Sequence, residues 1–193
     1  MTSRLHRHAW ILLVQALCAS ATLAADRPDA NPLARGLSEL RHYCLDALCL
    51  GTTVDEVARV PHRTFTTPSL TPKKCPQAIA DDVQASMVLS EDVTADLRFR
   101  LFPGNEPLAA RYLLTGIGLK RAQFASGREE GQYIERLSMP LGIEVNVVAG
   151  VRRTEMWTLQ VFAPKDPKFS YVELLAIPDG ALDKWLQARP GCN

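Results

Sequence analysis

From about residue 82 onward, apolar and polar side chains alternate along the chain, which is the pattern of strands that bury one face. Six segments follow this alternation or are rich in β-branched and aromatic residues: 97–101, 112–119, 133–139, 143–147, 157–161 and 171–177. Turn signals that contain proline or glycine separate them by short connections, which favours hairpins over helical crossovers. The pattern therefore predicts an antiparallel sheet of about five or six strands with one face covered.

The residues before the first prolines of the central region show a helical period instead. Apolar side chains recur at i, i+3, i+7 and i+11, the spacing of one helical face, at Leu37, Leu40, Cys44 and Leu48. Gly51 is the expected end of this helix. Thr53 and Glu56 then form a capping box, in which a hydroxyl and a carboxylate satisfy backbone amides of the first turn. A second, short helix should follow and end before Pro61.

A third helical pattern closes the chain, with Asp179 as a typical N-cap before apolar residues that share one face. Together these elements predict an α+β fold with two N-terminal helices, the antiparallel sheet and a C-terminal helix packed on it. We interpret the proline-rich stretch as a surface connection pinned by Cys75, with a partner-binding extended segment as the alternative. The predicted divisions are an irregular leader at 25–36, a single domain at 37–193, and a proline-rich loop within it at 61–76.

The first two dozen residues predict export. Arg4 and Arg7 form a basic start, residues 9–17 are an apolar run, and small residues at 22–24 precede a cleavage site. The apolar run is short for a bilayer span, and no later segment reaches spanning length. We therefore expect a cleaved secretory signal at 1–24, no membrane span after cleavage, and a periplasmic or secreted protein.

The charge balance argues against a nucleic-acid partner. The chain has 22 Lys and Arg against 21 Asp and Glu, a formal net charge of +1. Cleavage of the signal would leave 20 basic against 21 acidic residues. Phosphate backbones are bound by clustered basic excess, which this composition lacks, so we expect no nucleic-acid partner.

Export also changes how the cysteines are interpreted. Signal cleavage removes Cys18 and leaves four cysteines, an even number in an oxidising compartment: Cys44, Cys49, Cys75 and Cys192. Two disulfides are expected, and of the three possible pairings we favour Cys44 with Cys49 and Cys75 with Cys192. The first pair requires the helix to end or loosen between its cysteines, since a separation of five residues on a continuous helix puts the sulfurs on different faces.

The chemistry-bearing residues do not assemble into a catalytic motif. No serine lies in a nucleophile elbow, and no glycine loop fits a phosphate. A zinc alternative would use residues whose spacing matches no standard finger: His42, Cys44, Cys49, His62 and Cys75. The sequence therefore identifies no cofactor and no catalytic residue. A periplasmic cell-wall hydrolase, which would need a cleft with His42 or His62 near a carboxylate, and a small-ligand carrier, which would need an apolar cavity, stay as alternatives.

Five residues are candidates for a binding surface. Arg98 and Arg100 share one strand face, and Arg152 and Arg153 begin another strand. They predict a cationic surface for an acidic partner, with a solvated sheet face as the alternative. Trp157 is a candidate interface anchor if it is exposed and a core residue if it is not.

The stretch Leu50–Val57, with the sequence LGTTVDEV, resembles the signature of the helix pair in the outer-membrane small lipoprotein A family and in β-lactamase-inhibitor-like modules. The resemblance implies two helices with an antiparallel sheet, a place in the bacterial envelope, and function by binding other proteins. The chain lacks the lipidated cysteine of the lipoproteins. The resulting hypothesis is an exported soluble binding module of the inhibitor, immunity or assembly-accessory type that contacts an envelope or secreted protein.

Overall fold

The computed structural model describes residues 31–71, 82–122, 129, 132, 141–143, 149–163 and 169–188, all within one unit, Asn31–Asn193. The helices in these residues are α1 (Pro32–Leu40), α2 (Val54–Val57), α3 (Leu108–Arg111) and α4 (Gly180–Gln187). The strands are β1 (Cys44–Leu45), β2 (Leu48–Cys49), β3 (Thr64–Thr66), β4 (Val83–Val88), β5 (Val93–Leu101), β6 (Tyr112–Ala122), β7 (Ala149–Arg153), β8 (Trp157–Phe162) and β9 (Phe169–Pro178).

Seven strands form one antiparallel sheet in the order β3-β4-β5-β6-β9-β8-β7, and β1 pairs with β2 in a separate hairpin. The described residues are thus mostly β with short helices, and the predicted α+β fold class with two N-terminal helices and five or six strands is wrong. The antiparallel pairing itself follows from the alternation and the short turns. The additional strands are the short β3 at one edge, β4 beside it, and the arginine-containing β7 at the other edge.

The first helix is where the helical prediction fails. It begins at Pro32, inside the segment expected to be irregular, and its N-cap Asn31 accepts a hydrogen bond of 3.1 Å from the Leu33 amide. It ends at Leu40 instead of continuing to Gly51. The reason is the hairpin that follows, because a chain that reverses direction cannot continue a helix.

The β1–β2 hairpin uses the second half of the apolar stripe in another way. Cys44 lies opposite Cys49, and the two form the disulfide favoured by the sequence. Leu45 and Leu48, the next pair inward, are fully buried. Asp46 makes the turn with a φ of 56°, a left-handed conformation that aspartate tolerates. The second half of the apolar stripe is therefore buried in the core as part of a hairpin and not as part of a helix.

Two capping predictions are confirmed. The Thr53 hydroxyl accepts a hydrogen bond of 3.2 Å from the Glu56 amide, while Glu56 Oε2 accepts one of 2.7 Å from the Thr53 amide. This capping box starts the single turn of α2. Asp179 caps α4 by accepting a hydrogen bond of 2.8 Å from the Gly180 amide.

The core lies between one face of the sheet and the elements that precede and follow it. In β5, Ala95, Leu97 and Phe99 are buried, and the alternate residues are at least partly exposed. Leucines and valines of α1, the hairpin, α2 and α4 join the same cluster. The sheet thus has a core side and an opposite side. None of the described helices is both long and apolar enough to cross a membrane.

Some of the other predicted segments lie within the described residues, and some lie outside them. The segments at 97–101, 112–119, 157–161 and 171–177 lie in β5, β6, β8 and β9. The proline-rich loop contains β3, which pairs with β4. The predictions that fall outside the described residues are the signal at 1–24, the first residues of the leader, the last part of the 61–76 loop, the strand at 133–139, most of that at 143–147, and the Cys75–Cys192 bridge.

Candidate functional site

The candidate site is the side of the sheet opposite the core, which we call the open face. Because successive side chains of a strand point to opposite sides, the residues between the buried positions form this surface. The following side chains lie on it and are partly or fully exposed: Gln84, Ser86, Thr94, Asp96, Arg98, Lys120, Tyr171, Glu173, Leu175, Ile177, Thr158, Gln160, Phe162, Val151 and Arg153. They belong to β4, β5, β6, β9, β8 and β7.

Two glycines of the central strand β6 shape the middle of the open face. Gly116 and Gly118 point to this side and carry no side chain there, so neighbouring side chains fold over them. A methyl group on Gly118 would collide with Tyr171 Oη. A methyl group on Gly116 would lie 2.8 Å from Leu175 Cδ2. The two glycines thus leave a recess in the sheet surface, and Tyr171 and Leu175 of β9 cover it. Aromatic side chains cover glycine in the same way in designed sheets.

The recess lets an ion pair cross the central strand. Arg98 on β5 pairs in register with Gly116, and Glu173 on β9 pairs with Gly118. The Arg98 Nη2 atom lies 2.8 Å from Glu173 Oε1, although β6 separates the two strands. A side chain at either glycine would stand between the charges. The pair is only partly exposed, so its charges largely neutralise each other within the surface.

A pocket of about 240 Å³ opens beside this ion pair. Its polar lining consists of Gln84, Asp96, Arg98, Tyr171 and Glu173. Among the described residues, the exposed Asp96 carboxylate and the Tyr171 hydroxyl form no hydrogen bond or ion pair. Burial raises the pKa of Tyr171 to about 12, and the carboxylates of Glu173 and Asp96 contribute, with Arg98 opposing them. The hydroxyl is protonated at neutral pH, as an ordinary phenol is, and the raised pKa extends this to more alkaline pH.

The two arginines predicted to share a strand face do so, but neither is a free cation. Arg98 is held by Glu173. Arg100 makes a two-point contact with Asp82, with Nε to Oδ1 at 2.8 Å and Nη2 to Oδ2 at 3.2 Å, and the two side chains are 12% and 5% exposed. Both carboxylates come from other strands or their flanks, so the cationic surface suggested by β5 alone is neutralised.

Of the remaining predicted binding residues, Arg152 and Trp157 lie on the core side and Arg153 lies on the open face, away from the pocket. Arg152 faces the core side, where its guanidinium lies 5.7 Å from the centre of the Tyr43 ring and donates a hydrogen bond of 2.9 Å to the Leu141 carbonyl. Arg153 is exposed on β7, where it pairs with Thr158 on the open face. Trp157 is fully buried, so the condition for its being an interface anchor is not met, and it is a core residue. Of the five predicted residues, only Arg98 lines the pocket.

Two features of the sequence could have indicated the pocket residues that the sequence analysis did not name. Asp96 alternates with the apolar residues of β5 in the same way as Arg98, so the alternation places both on one face. The Gly116-Ile117-Gly118 sequence places two glycines on one face of a predicted strand, and in the sheet they make room for the side chains of neighbouring strands. Tyr171 and Glu173 could be assigned to the same face of β9, but their place beside β6 depends on strand order, which a sequence does not show.

The alternatives with metal or histidine chemistry have little support from the described residues. Cys44 and Cys49 are joined in the disulfide and are not available as zinc thiolates. No group of three or more His, Cys, Asp and Glu in the described part of the chain is placed to hold a metal ion. The His62 Nδ1 atom lies 2.7 Å from the Val60 carbonyl oxygen, and its ring packs edge-on against Phe65.

These observations leave the open face as the feature from which a function can be argued. It combines a central recess, a neutralised ion pair, and the Asp96 carboxylate, which forms no ion pair with the described residues, beside the protonated phenol of Tyr171. No protein-family model, curated protein or solved structure matches this chain.

Proposed function

We propose that this chain is an exported binding protein that contacts another protein, in the bacterial envelope or outside the cell, through the open face of its sheet. An inhibitor, an immunity factor and an assembly accessory all act in this way. The proposal is supported first by the exposed apolar side chains of the open face and second by features expected of an exported chain.

The observation that carries the proposal is the exposure of two large apolar side chains on one side of the sheet. Val151 is 62% exposed and Phe162 is 42% exposed. Val151 pairs with Gln160, next to Phe162 on β8, and Gln160 pairs in turn with the partly buried Leu175. Residues directly opposite each other in antiparallel strands share a face, so Val151, Phe162 and Leu175 lie on one side of the sheet around the polar Gln160. Large apolar side chains that are exposed close together among polar residues are typical of a protein interaction site.

Two features of the chain support export: the signal pattern of its first residues and a disulfide. Residues 1–24 have the basic, apolar and small-residue order of a secretory signal. The Cys44–Cys49 disulfide belongs to the class of bond that forms and persists in oxidising compartments. A periplasmic or secreted location is therefore part of the proposal.

The test is capture of a partner by a chain altered on the open face. Residues 25–193 would be immobilised and exposed to periplasmic and secreted fractions, with Val151→Ser/Phe162→Ser as the variant. Ala181→Ser/Lys184→Ser, which changes two exposed residues of α4, is the matched control. We expect one stoichiometric partner that the wild-type chain and the control capture equally. The variant should bind it about tenfold or more weakly, because loss of apolar anchors removes most of the energy of such an interface.

Circular dichroism of the variant would show that it is folded, since both altered side chains are exposed. Equal capture of the partner by the variant and the wild-type chain would mean that the open face is not the binding surface, and the proposal would fail.

A further inference from the structure

We propose that the pocket lined by Asp96, Tyr171 and Glu173 receives a basic side chain, lysine or arginine, of the partner protein. This inference rests on the proposed function and names the chemistry of its contact. It is carried by the charge of the pocket and by the position of its polar groups.

The charges that line the pocket favour a cation. Asp96 and Glu173 are acidic, and Arg98 is the basic residue among the lining side chains. Because Arg98 is already paired with Glu173, the charge left for a ligand is the carboxylate of Asp96. An anionic group would have to separate the Arg98–Glu173 pair and approach Asp96. Lys120 lies on the same face one step along β6, but it is not part of the pocket lining.

The register of the strands places the polar groups around one point. Asp96, Gly118 and Glu173 lie side by side on β5, β6 and β9. Neighbouring strands are about 4.8 Å apart, so the two acidic residues have Cα atoms separated by about 10 Å across the glycine. Tyr171 Oη lies over Gly118 between them. An ammonium or guanidinium group in the pocket beside the Tyr171 ring reaches the Asp96 carboxylate and the phenol oxygen, to which no described residue donates a hydrogen bond.

The exposed Phe162 lies in the same row of the sheet. It pairs with Glu173 and stands on β8, one strand beyond the residues that line the pocket. A partner surface that covers Phe162 therefore extends over the pocket. Lysine and arginine reach such a pocket from the partner surface on a long apolar stem while the head stays polar.

The probes are blocked amino acids, which contain no other partner chemistry. Nα-acetyl-arginine methylamide and Nα-acetyl-lysine methylamide would be titrated into the ¹⁵N-labelled mature chain while the amide resonances of Gln84, Asp96 and Tyr171, which line the pocket, are followed. Nα-acetyl-citrulline methylamide, which has the shape of arginine without its charge, is the control ligand. We expect saturable shifts at these amides with a basic probe and no comparable shifts with citrulline.

Three variants sharpen the assignment. Asp96→Asn should weaken binding by about fivefold, the factor that corresponds to one unit-charge contact at a hydrated surface. Gln84→Glu adds a carboxylate to the pocket lining and should strengthen binding. Glu91→Gln, an exposed acid in the turn between β4 and β5, is the matched control and should leave binding unchanged.

Equal shifts from arginine and citrulline, no shift from either basic probe, or unchanged binding by Asp96→Asn would overturn the assignment. The proposed function is judged separately by the Val151→Ser/Phe162→Ser variant. If that variant loses the partner and Asp96→Asn binds the probes as well as the wild-type chain does, the pocket assignment fails and the open-face function stands. If partner capture is insensitive to both variants, the proposed function itself fails.

Discussion

The Trp157 indole nitrogen donates a hydrogen bond of 2.9 Å to the backbone carbonyl of Gly36, which lies 121 residues earlier in the sequence. The bond joins β8 to α1 and is buried. A Cβ at residue 36 would lie only 3.0 Å from the same nitrogen, so glycine permits the close approach. The Trp157 ring also packs edge-on against Phe102, with ring centroids 6.1 Å apart. This contact holds the first helix on the core side and keeps it away from the open face.

Replacement of this tryptophan is expected to lower the free energy of unfolding substantially. Trp157→Phe removes the donor, leaves the Gly36 carbonyl buried without a partner, and opens a cavity beside Phe102. We expect a loss of about 2–4 kcal/mol, measured by urea unfolding. Trp185→Phe on the partly exposed face of α4 is the control and should cost about 1 kcal/mol or less. Similar losses from both variants would show that the buried bond has no special weight.

The ion pair between Asp82 and Arg100 is expected to behave as a buried pair. Asp82→Asn leaves the Arg100 guanidinium, 12% exposed, with its charge uncompensated. Loss of one partner of such a pair costs about 3 kcal/mol or more, because the remaining charge is poorly solvated. Glu155→Gln breaks the Arg35–Glu155 pair, whose side chains are 54% and 68% exposed, and should cost less than about 1 kcal/mol.

Urea unfolding of the two variants side by side measures this difference. A loss for Asp82→Asn as small as that for Glu155→Gln would contradict the description of Arg100 as a structural residue. Arg100 would then return as a candidate for partner contact.

Alkaline pH should reveal the environment of Tyr171. Burial, with the carboxylates of Glu173 and Asp96, raises its pKa from 10.0 to about 12. The unfolded chain loses this phenol proton first, so the stabilisation is fully present below pH 10 and is lost as the pH rises to about 12. We expect the free energy of unfolding to fall over this range more steeply for the wild-type chain than for Tyr171→Phe. The difference between their ultraviolet tyrosinate titrations gives the pKa directly.

The variant Gly118→Ala tests whether the position of the Tyr171 ring over the glycine causes the raised pKa of Tyr171. Its methyl group collides with Tyr171 Oη and displaces the ring from the recess. The pKa of Tyr171 should then move back towards 10. A Tyr171 that titrates near 10 in the wild-type chain, or one that Gly118→Ala does not affect, would show that the ring does not cover the glycine.

The local sequence signals predicted local structure well and failed where distant contacts compete. The Thr53–Glu56 capping box and the Asp179 N-cap depend on residues within one helical turn, and both are present. The apolar residues between Leu37 and Leu48 fit a helical period, yet the chain turns back at residues 41–49. A disulfide and burial of Leu45 with Leu48 favour the hairpin there, and a helical pattern does not show such tertiary contacts.

The candidate site could be predicted only in part for a related reason. Alternation places Asp96 and Arg98 on one face of β5, which the sequence shows. The partner of Arg98 is Glu173, two strands away in space and far along the chain, and their contact depends on the order in which the strands pair. Trp157 lies on the core face of β8 because α1 packs there, which the strand pattern does not reveal.

The central claim, that the open face is the binding surface, is tested most directly by site-specific photo-crosslinking in the producing cell. A photoreactive phenylalanine analogue would be placed at Phe162 and, in a separate chain, at Ala181 on α4. The account predicts a discrete cross-linked partner from position 162 and none from position 181. Cross-linking from position 181 alone, or from neither position, would contradict it.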